Sequence, residues 1–278
     1  MPSADKRQRK KENARAAREA REAELKKRRR LRALRNGAIF TVIFVIGFAI
    51  LIWATGGHGK KASTTTTTLP KSTTTTPATV PAAAVAAVKC NDTKPQTSGK
   101  DTKQKAPAMT IDPTKTYTAT ISTSCGDMIV ALDAKDDPKG VNNFVSLARQ
   151  GFYDGLTWHR VVKDFVIQGG DPLGNGNGSP GYQVVTELPK TGYPLGTLAY
   201  AKTSTAPAGS AGSQFFVVTT DHPASLDQKS NGSYQYGVFG QVTSGIAVGK
   251  KMEGFAPASG DGAPTRPLYI FKVTISET

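Results

Sequence analysis

Hydrophobic and polar positions divide the chain into two parts of different character. From Tyr117 onward, short runs of alternating apolar and polar residues recur between glycines, prolines and asparagines. Alternation with a period of two is typical of half-buried β-strands. At Pro138–Gln150 the apolar residues instead recur at helical spacing. The pattern therefore predicts a mainly β domain over residues 111–278 that includes few helices.

A long uncharged run near the N-terminus has a different pattern. Residues 38–54 read AIFTVIFVIGFAILIWA; extended to residue 57, this run is just long enough to cross about 30 Å of hydrocarbon. Five arginines lie within the ten residues before it. By the positive-inside rule we expect a transmembrane signal-anchor at 38–57, with a cytoplasmic N-terminus and an exported remainder. A cleavable signal peptide is the alternative, although its leader is usually shorter and Ala54-Thr55-Gly56 is a marginal cleavage site.

The net charge of +15 is concentrated ahead of this run. Residues 1–37 contain 15 Lys/Arg and 5 Asp/Glu, which gives +10 for the tail. Good helix formers dominate it, so we expect a basic, helical cytoplasmic tail. Because the arginines directly precede an apolar span, orientation in the membrane and contact with anionic lipid are the favoured roles. Nucleic-acid binding is the less favoured alternative.

Residues 58–110 are rich in threonine, proline and alanine and have no apolar period. This composition predicts a disordered stalk. Cys90 and Cys125 both lie on the side expected to be exported, where thiols tend to be oxidised. A disulfide between them would tie the end of the stalk to the first hairpin, and two free buried thiols are the alternative. The cysteines and histidines are not clustered at metal-ligand spacing, so we expect no zinc or other metal site.

The segment WHRVVKDFVIQGGDP, residues 158–172, combines strand-forming residues with an arginine and an amide. It predicts two short strands joined around Lys163-Asp164. Because residues two apart share a face of a strand, Arg160 and Gln168 can project from a rigid sheet beside Phe165. The spacing of these residues is equally consistent with an ordinary β-hairpin that has an arginine on its surface and no functional role.

Three ordered motifs carry a resemblance to a known family. They are the aromatic-His-Arg, Phe and Gln-Gly-Gly-Asp series of residues 158–171, GSQFF at 212–216, and YGVFG at 236–240. Over residues 115–278 the chain resembles the cyclophilins, which are peptidyl-prolyl cis/trans isomerases. The resemblance implies a closed, eight-stranded antiparallel barrel capped by helices. It also implies isomerisation of X-Pro bonds without a cofactor.

The resemblance also implies roles for individual residues. The catalytic residues would be Arg160, Phe165 and Gln168, with the guanidinium donating a hydrogen bond toward the prolyl nitrogen. The substrate-binding residues would be Val166, Ala201, Lys202, Gln214, Phe216, Leu226 and Tyr236. A purely structural role in the core is the alternative for Phe165, Phe216 and Leu226. His159 points away from Arg160 in the predicted strand, so we interpret it as a packing residue rather than an acid or base.

The chain departs from the family pattern at three positions. Tyr236 occupies a position that is often His, Lys202 replaces a frequent Asn, and Ser225 aligns near a Trp that contacts cyclosporin. Cyclosporin sensitivity therefore does not follow from the resemblance. We expect an isomerase that acts on proline-containing segments of exported or cell-envelope proteins. We also expect it to contact membrane lipid through residues 38–57. The alternative is a module that binds proline segments, as a chaperone or scaffold, with incidental or no isomerase activity.

Overall fold

The computed structural model describes residues 80–96, 100 and 102–278. The predicted basic tail, the predicted membrane span at 38–57 and the first part of the predicted stalk lie outside the described residues. Within these ranges, no helix is both long enough and apolar enough to cross a membrane.

Eleven strands form in the described part of the chain, and all of their pairings are antiparallel. They are β1 (Tyr117–Thr123), β2 (Gly126–Leu132), β3 (Arg160–Val162), β4 (Val166–Gly169), β5 (Val184–Val185), β6 (Thr197–Tyr200), β7 (Ser210–Ala211), β8 (Phe215–Val218), β9 (Val238–Ser244), β10 (Asp261–Gly262) and β11 (Ile270–Glu277). Nine of them make one sheet in the order β10-β3-β4-β8-β6-β9-β2-β1-β11, and β5 pairs with β7 in a separate ribbon.

The main sheet corrects the prediction of a closed, eight-stranded barrel. It is a curled half-barrel of nine strands, and its two end strands, β10 and β11, do not pair with each other. The additional strand, β10, has only two residues, too few to show an apolar period. At the other end, the irregular segment before β3 lies along the start of β11: the Trp158 amide donates to the Leu268 carbonyl at 3.0 Å, and the Ile270 amide to the Leu156 carbonyl at 2.8 Å.

Four helices lie in the described ranges: α1 (Ala82–Ala87), α2 (Pro138–Arg149), α3 (Ala224–Asp227) and α4 (Ile246–Glu253). The first turn of α2 follows from its sequence, because Pro138 suits the start of a helix and the Asp137 side chain caps it. The Asp137 carboxylate accepts a hydrogen bond from the Gly140 amide at 2.9 Å. One face of α2, which includes Phe144, packs against the inside of the sheet.

Alternation along the central strands separates two apolar clusters. On β8, Phe215 and Val217 belong to the main core, whereas Phe216 and Val218 belong to a smaller cluster on the opposite face. The main core is rich in aromatic rings; the Phe215 ring lies 5.6 Å from that of Phe144 in a T-shaped contact. The main core lies inside the sheet, and the second cluster is therefore available to form a surface site.

The described residues of the predicted stalk pack on the domain. Cys90 and Cys125 are joined in a disulfide, with the Asn91 amide donating to the Ser124 carbonyl at 2.8 Å beside it. Further along, the Asn142 side chain of α2 bonds both the Thr110 amide and the Ala108 carbonyl. The boundary between stalk and domain at residue 110 stays a prediction, but ordered contacts with the domain begin well before it.

Candidate active site

A row of polar side chains crosses the sheet on the face opposite the main core. Arg160 and Gln168 are direct partners in the β3–β4 register, and Nη1 of Arg160 donates to Oε1 of Gln168 at 3.1 Å. Nε2 of Gln168 donates in turn to Oε1 of Gln214 at 3.0 Å. Gln214 is held by the carbonyl oxygens of Gly176 and Gly178 at 3.1 and 2.9 Å. We call Arg160, Gln168 and Gln214 the polar row.

The guanidinium at the end of the polar row has a second partner that the sequence did not indicate. Nε of Arg160 donates to Oδ1 of Asp261, and Nη2 donates to Oδ2, both at 2.7 Å. Asp261 lies on β10, opposite Val162 in the register. It is therefore on the same face of the sheet as Arg160, two residues along the neighbouring strand from the position opposite Arg160.

Beside the polar row lies the second apolar cluster, which we call the apolar patch. Its buried members are Val166, Tyr193, Ala199, Phe216, Val218 and Leu226, and the partly buried residues packed on it are Val162, Phe165, Ala201, Tyr234, Tyr236 and Val238. The Phe216 and Tyr236 rings are 5.5 Å apart and nearly perpendicular. The patch forms an aromatic-walled surface directly beside a cation.

Local backbone geometry places Phe165 on this patch. Asp164 takes a left-handed conformation, with φ of 53°, at the turn between β3 and β4. The Phe165 carbonyl then accepts a hydrogen bond from the Thr219 amide at 3.0 Å, which fixes the turn to the end of β8. The half-buried Phe165 ring thus packs on the apolar patch, on the same side as Val162.

A groove of about 470 Å³ adjoins the other end of the polar row. It is lined by Gln168, Gly176, Asn177, Gly178, Ser179, Gln183, Ala201, Lys202, Thr203, Gly212, Ser213 and Gln214. The Ala201 amide donates to the Gln214 carbonyl at 2.9 Å, which joins the two walls of the groove. Nζ of Lys202 donates to the Ala206 carbonyl at 3.1 Å and lies 5.4 Å from the centre of the Tyr236 ring.

The site offers hydrogen-bond donors and apolar surface rather than an acid–base pair. Burial lowers the pKa of His159, the ionisable group next to Arg160 in sequence. Its two ring nitrogens are buried and have no hydrogen-bond partner in the described part of the chain. The same ranges contain no group of three His, Cys, Asp or Glu side chains that could hold a metal ion. The arrangement suits binding and polarisation of a neutral substrate.

The structure brings the predicted site residues together in three neighbouring groups. Arg160, Gln168 and Gln214 form the polar row, Ala201 and Lys202 line the groove, and the predicted apolar residues lie on or in the patch. These last are Phe165, Val166, Phe216, Leu226 and Tyr236. Their roles toward a substrate stay predictions.

Sequence reasoning missed Asp261 and Tyr193; Asp261 is 101 residues from Arg160, and no motif or apolar period marks it.

Comparisons with known proteins give a consistent result. The family model for cyclophilin type peptidyl-prolyl cis-trans isomerases matches residues 118–275. The peptidyl-prolyl cis-trans isomerase cypE of Dictyostelium discoideum is 37% identical over 164 residues, covering 56% of this chain and 96% of that protein. Peptidyl-prolyl cis-trans isomerase A of Mycobacterium tuberculosis is 36% identical over 188 residues, covering 61% and 97%. A crystal structure of a Cryptosporidium parvum isomerase of cyclophilin type, in the presence of the dipeptide Ala-Pro, has a TM-score of 0.50 and 30% identity, covering 58% of this chain and 99% of that one.

Proposed function

This chain belongs to the cyclophilin family of peptidyl-prolyl cis-trans isomerases, and on that premise we propose that the polar row and the apolar patch isomerise X-Pro bonds in exported or cell-envelope proteins. The observation that carries the proposal is the position of Arg160. Its guanidinium is fixed at the edge of an aromatic-walled apolar patch by side chains on both flanking strands. A cation with unused N–H groups is thereby held beside a surface that suits a proline ring.

The chemistry needs no nucleophile and no proton transfer. The barrier to rotation, about 18–20 kcal/mol, comes from the partial double-bond character of the C–N bond. When the bond twists, the lone pair becomes localised on the prolyl nitrogen, and a hydrogen bond donated to that nitrogen stabilises the twisted state. Arg160 is always charged and has rigid donors. It would stabilise the twisted state more than either planar isomer, which is what lowers the barrier.

The other residues would position the substrate. The proline ring would occupy the apolar patch between Phe165, Phe216 and Leu226, with Tyr236 at its rim. Gln168 would hydrogen-bond the substrate backbone, because its side-chain amide lies at the centre of the polar row, between the Arg160 guanidinium and Gln214. The solved relative from Cryptosporidium parvum, described in the presence of Ala-Pro, supports a proline-containing ligand.

The residues that flank the proline would follow the groove. The backbone of Ala201 and the side chain of Lys202 form part of its lining, beside Gln214. An extended peptide could thus contact the polar row with its imide and the groove with its flanking residues. Lys202, which replaces a frequent Asn, is the charged residue of that lining and would influence which flanking residues are accepted.

We place the domain outside the cytoplasm, anchored by residues 38–57. The support is the uncharged run, the arginines before it, and the disulfide between Cys90 and Cys125. Disulfides persist in oxidising compartments and are rare in the cytosol. Protease added to intact cells tests this directly. Cleavage of the domain while a cytoplasmic marker stays intact supports the assignment, and full protection of the domain while a surface protein is cleaved contradicts it.

The activity is tested by following cis/trans exchange of an Ala-Pro peptide by NMR, with residues 80–278 as the catalyst. We expect fast exchange with the wild type and a large loss with Arg160→Ala. The matched control is Arg149→Ala, which removes an exposed arginine of α2 that pairs with Glu277. If the folded wild-type domain bound the peptide without accelerating exchange, the alternative of a proline-binding module would replace this proposal.

A further inference from the structure

The strongest contact of the Arg160 guanidinium is with a residue outside the family motifs. Asp261 accepts two parallel hydrogen bonds of 2.7 Å, one from Nε and one from Nη2. Paired N–H donors matched to a carboxylate fix both the direction and the plane of a guanidinium. A single contact, such as that from Nη1 to Gln168 at 3.1 Å, fixes much less.

The backbone presents Asp261 in a defined position. Its strand pairs with β3, and the Lys163 amide donates to the Gly260 carbonyl at 2.9 Å just beyond that pairing. Gly260 has φ of +80° and lies in a turn closed by its amide bonding to the Pro257 carbonyl. The Asp261 carbonyl is also bonded by the Ser259 hydroxyl at 3.1 Å. The carboxylate is therefore held by a tight turn rather than by a free loop.

The Asp261 carboxylate leaves some N–H groups of the Arg160 guanidinium available for a substrate. A guanidinium has five N–H groups. Asp261 takes one on Nε and one on Nη2, and Gln168 takes one on Nη1. One N–H remains on each terminal nitrogen, and the directions of both are set once the plane is fixed.

The solvent exposure of the Arg160–Asp261 pair indicates that it matters more for catalysis than for folding stability. The side chains of Arg160 and Asp261 are 38% and 50% exposed. Ion pairs this exposed contribute little to folding stability, because water screens the charges and side-chain entropy opposes them. The catalytic step is more demanding, because a small misplacement of a reacting group can lower a rate by up to about 100-fold.

We propose that Asp261 is a positioning residue that orients the Arg160 guanidinium, so that its remaining N–H groups are directed at the twisting X-Pro bond. This inference rests on the proposed isomerase mechanism. In it, catalysis depends on the direction of an N–H group rather than on an unpaired positive charge at the site, since the guanidinium is already paired with Asp261.

The test uses the full-length chain and an Ala-Pro peptide, with kcat and KM obtained from exchange rates over a range of peptide concentrations. For Asp261→Ala we expect kcat to fall about 10-fold while KM changes less than about twofold, because orientation acts in the transition state. Asp261→Asn keeps one acceptor oxygen without the charge, so its kcat should lie between those of the wild type and the alanine variant. The matched control is Asp92→Ala, which removes an exposed aspartate paired with Arg266 away from the site.

Several results would overturn the inference. They are an alanine variant with kcat within about twofold of the wild type, a loss confined to KM, or a variant faster than the wild type. A wild-type chain without activity would instead contradict the proposed function, so the two failures are distinguishable.

Discussion

A buried pair of carboxyl groups makes the stability of the domain depend on pH. Asp137, the N-cap of α2, is only 2% exposed. Its Oδ1 accepts hydrogen bonds from the Gly140 and Glu187 amides. Oδ2 of Asp137 and Oε2 of Glu187 are both buried, and neither has a donor in the described part of the chain. A proton held between the two side chains would satisfy both.

The pKa values follow from this geometry. Burial raises the pKa of Asp137 to about 8, with the hydrogen bond to Glu187 acting in the same direction. For Glu187, burial acts to raise the pKa, but the hydrogen bond from Asp137 and the ion pair with Lys139 outweigh it, and the pKa is lowered. Asp137 therefore carries the proton at neutral pH, and Glu187 carries the charge.

The sign of the effect on stability follows. Below the pKa of an unfolded aspartate, about 4, both states are protonated and Asp137 contributes no pH dependence. Between there and about 8, the unfolded state releases the proton and the folded state keeps it, so the free energy of unfolding falls as pH rises, by up to about 1.4 kcal/mol per pH unit. Above the folded pKa this loss is complete. Because the pKa of Glu187 is lowered, its contribution to the free energy of unfolding is lost only as the pH falls below the ordinary pKa range of a glutamate. The pH range in which Glu187 affects stability is therefore separate from that of Asp137.

Asp137→Asn isolates this contribution. In the variant, the amide oxygen can still cap α2 and the amide N–H₂ can donate permanently to Glu187. Residue 137 of the variant therefore has no group that titrates. We expect the free energy of unfolding of the variant minus that of the wild type to be small at about pH 5 and to rise to a few kcal/mol at about pH 8. Urea unfolding of residues 80–278 at a series of pH values measures it. Asp136→Asn, on the exposed neighbour that pairs with Lys190, is the control. A difference that stays flat from pH 5 to 8 would refute the reasoning.

Two further predictions concern the disulfide and the polar row. Replacing Cys90 and Cys125 by serine should lower the free energy of unfolding by roughly 3–4 kcal/mol, because the bridge spans a sequence separation of 35 residues; urea unfolding with an unchanged midpoint after this replacement would contradict it. Gln168→Ala should lower kcat/KM about 10-fold, since Arg160 loses one hydrogen bond that helps to hold it. The control is Gln150→Ala, which changes an exposed glutamine directly after α2. Exchange rates for Gln168→Ala as fast as those of this control would count against a role for the Gln168 amide.

Part of this arrangement is visible in the sequence because it is local. Alternation in residues 158–168 indicated that Arg160 and Gln168 could share a face, and the register of β3 and β4 pairs them. The same alternation separates Phe215 from Phe216, as expected for a strand with one residue in the core and the next on the opposite face. A period-two pattern predicts which side chains face the core, because a one-residue shift in strand register would move all of the core-facing side chains to the opposite face of the sheet.

The remainder depends on contacts between distant residues, for which a single sequence has no signal. Asp261 meets Arg160 only because a two-residue strand joins the edge of the sheet. That strand also made the count nine rather than eight, and it contains no hydrophobic residue to mark it. The carboxyl pair of Asp137 and Glu187 likewise joins a helix cap to a loop 50 residues away.

The central claim is that an oriented guanidinium N–H stabilises the twisted X-Pro bond, and Arg160→Lys tests it most directly. Lysine keeps the positive charge but lacks the planar fork that Asp261 and Gln168 hold. NMR of one sample gives both the affinity for an Ala-Pro peptide and its exchange rate when bound. The account predicts that affinity is largely retained while the bound exchange rate falls at least about 10-fold. A lysine variant that exchanges the bound peptide as fast as the wild type would contradict the claim.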